Sequence, residues 1–277
     1  MRRGDALLAI TIGAFAFFVG SRVVARHPLQ RIGGLLRRDE SPPDHSDYSK
    51  PRPSVADALP RGRPPRRAAD PRDVNFITRD QITPVADADQ VRAQIAAATD
   101  GYLSDMLAAD SGLLVRWPDR RDNGLRIWVQ SISAVRDWNA RYAQMARDAF
   151  ADWGDSGLPA RLDFVLDSAG ADIQVLWIDR FPSEFGQRVG NTTRSNDRNG
   201  WLLSADVTVA VHDSVGRVIE PSDLAGIVRH EAGHALGLGH SRDSTTKMFP
   251  VEMTNNITFA DRATLRLLYH LSPGSVR

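Results

Sequence analysis

The sequence predicts an α+β domain. Apolar residues recur at helical spacing in four segments, short β-type runs fall between those segments, and a proline-rich stretch poor in apolar residues precedes them all. Residues 87–109 carry Val91, Ile95, Ala98, Tyr102, Met106 and Ala109 at intervals that put them on one helix face. Residues 113–117 and 125–130 are short β-type runs around the turn-rich Pro118-Asp119-Arg120-Arg121-Asp122-Asn123-Gly124, a hairpin-like signal. Residues 136–153 read as an amphipathic helix carrying Trp138, Tyr142, Met145, Ala149 and Trp153, ended by Gly154. Residues 164–166, 173–177 and 207–211 read as strands, and 183–200, rich in Gly, Asn, Ser and Arg, as a loop. A helix over 224–236 breaks at Gly237 and Gly239. A last one spans 259–270, with Thr258 as N-cap and Asp261 in its first turn.

Charge is unevenly placed along the 277 residues. Residues 1–75 hold 14 Lys/Arg against 8 Asp/Glu, and the remainder 21 against 26. A mildly acidic body argues against nucleic acid as a partner, because phosphate binding needs basic clusters on the folded part. The chain has no cysteine, so disulfides, a thiol nucleophile and cysteine-ligated metal are excluded. Residues 1–25 open on Met1-Arg2-Arg3 and run apolar from Ala6 to Val19, the layout of a signal sequence or an N-terminal membrane anchor. This implies export, with the protein either secreted after cleavage near Ala25 or membrane-attached. Residues 26–75 read as a Pro/Arg-rich linker and 76–112 as a helical extension, leaving 113–277 as the main domain. A monomer is expected.

Three of the seven histidines fall within His230-Glu231-Ala232-Gly233-His234-Ala235-Leu236-Gly237-Leu238-Gly239-His240. Positions i and i+4 share a helix face, so His230 and His234 can hold one zinc. Glu231, one step round, can stay outside the coordination shell and take a proton from a zinc-activated water. Gly237 permits the chain reversal that returns His240 as third ligand. Three imidazoles leave a position open for water, the arrangement of a catalytic zinc. His27, His45, His212 and His270 read as isolated histidines without a role.

His-Glu-x-x-His-x-x-Gly-x-x-His resembles the metzincin signature, and Met248 stands where that family has its methionine turn. The run from His240 through Ser241, Asp243 and Met248-Phe249-Pro250 is similar to the matrixin branch, with Phe249 in place of its usual Tyr. Ala149-Phe150-Ala151-Asp152-Trp153, Ala171-Asp172-Ile173 and the segment from Thr258 to Tyr269 fit more loosely. The resemblance implies a twisted, mostly parallel five-stranded sheet, an active-site helix and a small C-terminal helical subdomain. It also implies one catalytic zinc on His230, His234 and His240, with Glu231 as general base, and a protein or peptide substrate. The strand near Ala205–Val211 would be the edge lining the cleft, and Phe249-Pro250-Val251 a wall of the pocket after the scissile bond. Met248 would support the metal by packing. The branch's propeptide cysteine is missing, and no histidine in 171–211 offers a second zinc site. Asp172, Asp197 or Asp206 could hold calcium, against the plainer reading of solvated carboxylates.

Activity follows as zinc-dependent endopeptidase chemistry. The alternatives are an inactive zinc-binding protein on the same fold, against which the retained Glu231 argues, and a zinc hydrolase of non-peptide amides.

Overall fold

A computed structural model of the chain describes residues 88–275, apart from 110–111, 198 and 252–253. The proposed signal sequence or anchor (1–25), the linker (26–75) and residues 76–87 of the extension lie outside them. Among the described residues no helix is long and apolar enough to cross a membrane.

Alternating burial organises the sheet. In β2 (Arg120–Val129) the side chains of Leu125, Ile127 and Val129 turn inward, while all six residues of β4 (Ile173–Ile178) are buried. With β3 (Ala160–Val165), β5 (Gly190–Asn196) and β6 (Leu202–Ala210), they form a five-stranded sheet in the order β3-β2-β4-β6-β5. The β3/β2, β2/β4 and β4/β6 pairs are parallel and β5 runs antiparallel to β6. The helices α3 (Arg141–Gly154) and α4 (Pro221–Ala235) share the apolar core with the sheet through Phe150, Trp153, Leu224, Val228 and Ala232. This is the α+β, mostly parallel five-stranded architecture that the resemblance implied.

Several elements differ from the sequence reading. No hairpin joins the first two β runs. Leu113–Leu114 (β1) pairs instead with Gly274–Ser275 (β7), and β2 finds only parallel partners from later in the chain. The turn-like residues before Leu125 belong to β2 itself, whose register shifts between Arg120 and Leu125, with Gly124 at φ +63°. The single helix expected over 87–109 is two, α1 (Ala88–Ala97) and α2 (Leu103–Ala109). Gly101 lies between them so close to α5 (Phe259–His270) that a Cβ would stand 2.5 Å from Thr264 Oγ1. Tyr102 N–H donates to that oxygen at 2.9 Å, so tertiary packing interrupts the helical period. Val91, Ile95, Leu103 and Met106 join the same core as α4.

The segment read as a loop over 183–200 contains β5, and among the described residues β5, not the strand at 205–211, is the sheet edge. Its sequence, Gly-Asn-Thr-Thr-Arg-Ser-Asn, has no apolar residue, so it carries no β alternation to detect. His212 also departs from expectation. It is buried at the end of β6, with Nε2 3.0 Å from Asp137 Oδ2 and Nδ1 2.9 Å from Asp179 Oδ1.

Candidate active site

The site is assembled from one helix end, one turn and one sheet edge. Helix α4 begins with Pro221 at its first position and Asp223 in its first turn, both favourable there, and places His230, Glu231 and His234 in its last turns. It stops at Gly237, whose φ of +106° a side chain would resist. The Gly237 and Leu238 N–H groups donate to the His234 and Gly233 carbonyls, both at 3.0 Å, which closes the helix end and turns the chain back. That reversal brings His240 over the helix.

The three imidazoles converge. His240 Nε2 lies 3.3 Å from His230 Nε2 and 3.2 Å from His234 Nε2. His230 Nδ1 is 2.9 Å from the Lys247 carbonyl and His234 Nδ1 2.8 Å from the Leu238 carbonyl. A carbonyl can only accept, so both Nδ1 atoms carry the proton and both Nε2 lone pairs face the common centre. Unprotonated nitrogens this close repel unless a cation lies between them. Zinc–imidazole bonds of about 2.0–2.1 Å in a tetrahedral array would space nitrogens by about 3.3 Å, so the donor set fits zinc. Burial, with the neighbouring His240, lowers the His230 pKa to about 3. Burial and the other two imidazoles hold His234 well below its usual value. His240 faces the cleft, yet burial, with Arg194 and Arg188, still lowers its pKa to about 4. Neutral imidazoles are the form a metal needs.

Among the described residues this is the one group of three or more such side chains placed to hold a metal ion. The carboxylates considered for calcium do not converge. Asp172 accepts from the Arg126 amide at 2.8 Å and pairs with Arg120 and Arg126, and Asp197 accepts from the Asn199 and Trp201 amides. Calcium gains no support.

Met248 is fully buried against α4 at Gly233, where a Cβ would collide with its Sδ and stand 2.9 Å from Trp153. Trp153 also donates its indole N–H to the Arg229 carbonyl at 2.8 Å. Glu231 is nearly buried and faces β5, where the Thr192 hydroxyl lies 2.6 Å from its Oε2.

A cleft of about 480 Å³ opens beside the histidines. Its lining includes Val189, Gly190 and Thr192 from β5 and its approach, Ile227 and Glu231 from α4, and Met106 from α2. Phe249, Pro250 and Val251 do not line this cleft. Met106 supplies apolar surface from a helix that the motif gave no reason to place there. Arg194 also lines the cleft and donates to the carbonyls of His234 and Leu238 at 3.3 and 3.4 Å.

A mostly parallel sheet with an antiparallel edge, over a helix offering two histidines and a returning third, defines the zinc metallopeptidases of the metzincin class. Residues 132–270, half of the chain, match the family described as Matrixin, and the chain belongs to it. A search of curated proteins returns no match.

Proposed function

We propose that the protein is a zinc-dependent endopeptidase, with zinc on His230, His234 and His240 and Glu231 as the catalytic base. The observation that carries this reading is the convergence of three Nε2 atoms beside a cleft bounded by the sheet edge β5. When bound, zinc supplies Lewis acidity, activating the attacking water and polarising the scissile carbonyl. The Lys247 and Leu238 carbonyls keep the His230 and His234 lone pairs aimed at that centre. Glu231 takes the proton of the attacking water on its carboxylate and passes it to the leaving amine. Among the described residues, strand β5 has one side without a strand partner, so an extended peptide can add to it through main-chain hydrogen bonds. Main-chain recognition suits cleavage within a chain, away from its ends.

The test is incubation of the purified full chain with an unstructured protein, with and without chelator, followed by mass spectrometry of the products. Internal fragments that vanish with chelator and return with zinc support the reading. A zinc-loaded chain that cuts no peptide bond favours a binding protein. One that hydrolyses only cell-wall amide cross-links favours a non-peptide hydrolase. Export, and attachment to a membrane through residues 1–25, remain part of this proposal. Detection of the intact N-terminal segment in the membrane fraction of producing cells would test attachment.

A further inference from the structure

We propose that Thr192 is a positioning residue for Glu231, holding one carboxylate oxygen so that the group is presented to the attacking water in a single orientation. The inference rests on the reading of Glu231 as the base. Thr192 Oγ1 lies 2.6 Å from Glu231 Oε2 and 3.0 Å from the Glu231 backbone carbonyl. A hydroxyl has one proton, and the shorter contact, to the carboxylate oxygen, takes it.

Residues two apart on a strand share a face, so Gly190 presents itself to the same carboxylate. A Cβ at Gly190 would stand 2.5 Å from Glu231 Oε1, 2.8 Å from its Cγ and 2.8 Å from Ile227 Cγ2. Gly190 therefore lets the strand approach and Thr192 fixes the group that the approach encloses. A carboxylate turning about its last two bonds would sample many orientations relative to the water, and most would be unproductive. The strand that takes the peptide main chain thus also sets the angle of the base. Substrate and base are registered to one element.

The experiment uses the full chain loaded with zinc and compares Thr192→Val, Thr192→Ser, Thr192→Ala and Thr99→Val. Thr192→Val, which replaces the hydroxyl by a methyl of similar size, should lower kcat about 10–100-fold with KM and bound zinc unchanged. Thr192→Ser should restore most of kcat, because the donor returns. Thr99→Val, exposed between α1 and α2 and away from the cleft, should match the parent. If Thr192→Val does not fold, Thr192→Ala carries the same expectation. Parent-like kcat in Thr192→Val, a serine variant as impaired as the valine one, or a loss confined to KM or zinc content would each overturn the proposal. Glu231→Gln, measured in parallel, separates the two readings. If it turns over substrate at the parent rate, the assignment of the base fails and Thr192 falls with it. If it is dead while Thr192→Val is fully active, only the positioning role fails.

Discussion

The Lys247 carbonyl lies 2.9 Å from His230 Nδ1, and the Lys247 amide donates at 2.8 Å to Asp261 Oδ2. One peptide unit and its neighbour thus connect the candidate metal centre to the N-terminus of α5. Asp261 is fully buried and also accepts from the Met248 and Thr258 amides, the Thr258 hydroxyl and the Tyr102 hydroxyl. The Asp261 amide in turn donates to the Thr258 hydroxyl oxygen, closing a capping box. The carboxylate that caps a helix also holds the methionine turn in place.

Replacing that carboxylate should therefore disturb both stability and metal. Asp261→Ala leaves several buried donors without an acceptor and should cost about 3 kcal/mol or more. Zinc affinity should fall about 10-fold, because the Lys247 carbonyl no longer has a fixed position. Urea denaturation and titration against a competing chelator check the two effects.

Tyr102 belongs to the segment before α2, outside the stretch matched to the family. Its hydroxyl reaches Asp261 at 2.8 Å, so Tyr102→Phe should cost about 1–2 kcal/mol with zinc stoichiometry unchanged. A chain beginning at 113 would also lose the buried Val91, Ile95, Leu103 and Met106. It should unfold at lower urea than one beginning at 88, and equal midpoints would show that the extension contributes nothing to the core.

Gly237→Ala places a side chain at φ +106°, with its Cβ 2.6 Å from the Val115 carbonyl. The expected cost is about 2 kcal/mol, from left-handed backbone strain together with the clash. Because the same turn returns His240, weaker zinc binding should accompany it. Thermal melts with and without chelator measure both.

The sequence exposed the parts of the site whose chemistry is local. His230, Glu231, His234, Gly237 and His240 lie within one helix and its turn, where spacing alone dictates which side chains share a face. Trp153 and Met248 were named as members of patterns, and their meeting at Gly233 required the fold. Strand β5 was illegible because an edge strand can be held by main-chain hydrogen bonds with polar residues on both faces, so no periodicity marks it. With β5 hidden, Gly190 and Thr192 had no visible connection to Glu231. The Tyr102–Asp261 bond spans most of the domain's length, and neither residue type announces such a partner.

In the metal-free protein, stability should fall on mild acidification. Unfolded imidazoles bind protons near pH 6.5, whereas burial and neighbouring charges lower His230 to about 3 and His240 to about 4. Between those values the unfolded chain holds more protons. The stability these groups contribute is therefore complete above about pH 6.5 and is lost as pH falls through 4 and then 3. Urea midpoints of chelator-treated protein should drop between pH 7 and pH 4, and zinc should shift that loss to lower pH.

The central claim is tested most directly by cleavage of an unstructured protein by the zinc-loaded full chain and by its Glu231→Gln variant, with bound zinc measured in both. The expected result is equal zinc in the two proteins, chelator-sensitive internal cleavage by the parent, and a rate for the variant lower by about 100-fold or more, as loss of a positioned general base requires. Parent-like cleavage by Glu231→Gln, or zinc retained in full after His230, His234 and His240 are all replaced by alanine, would contradict it.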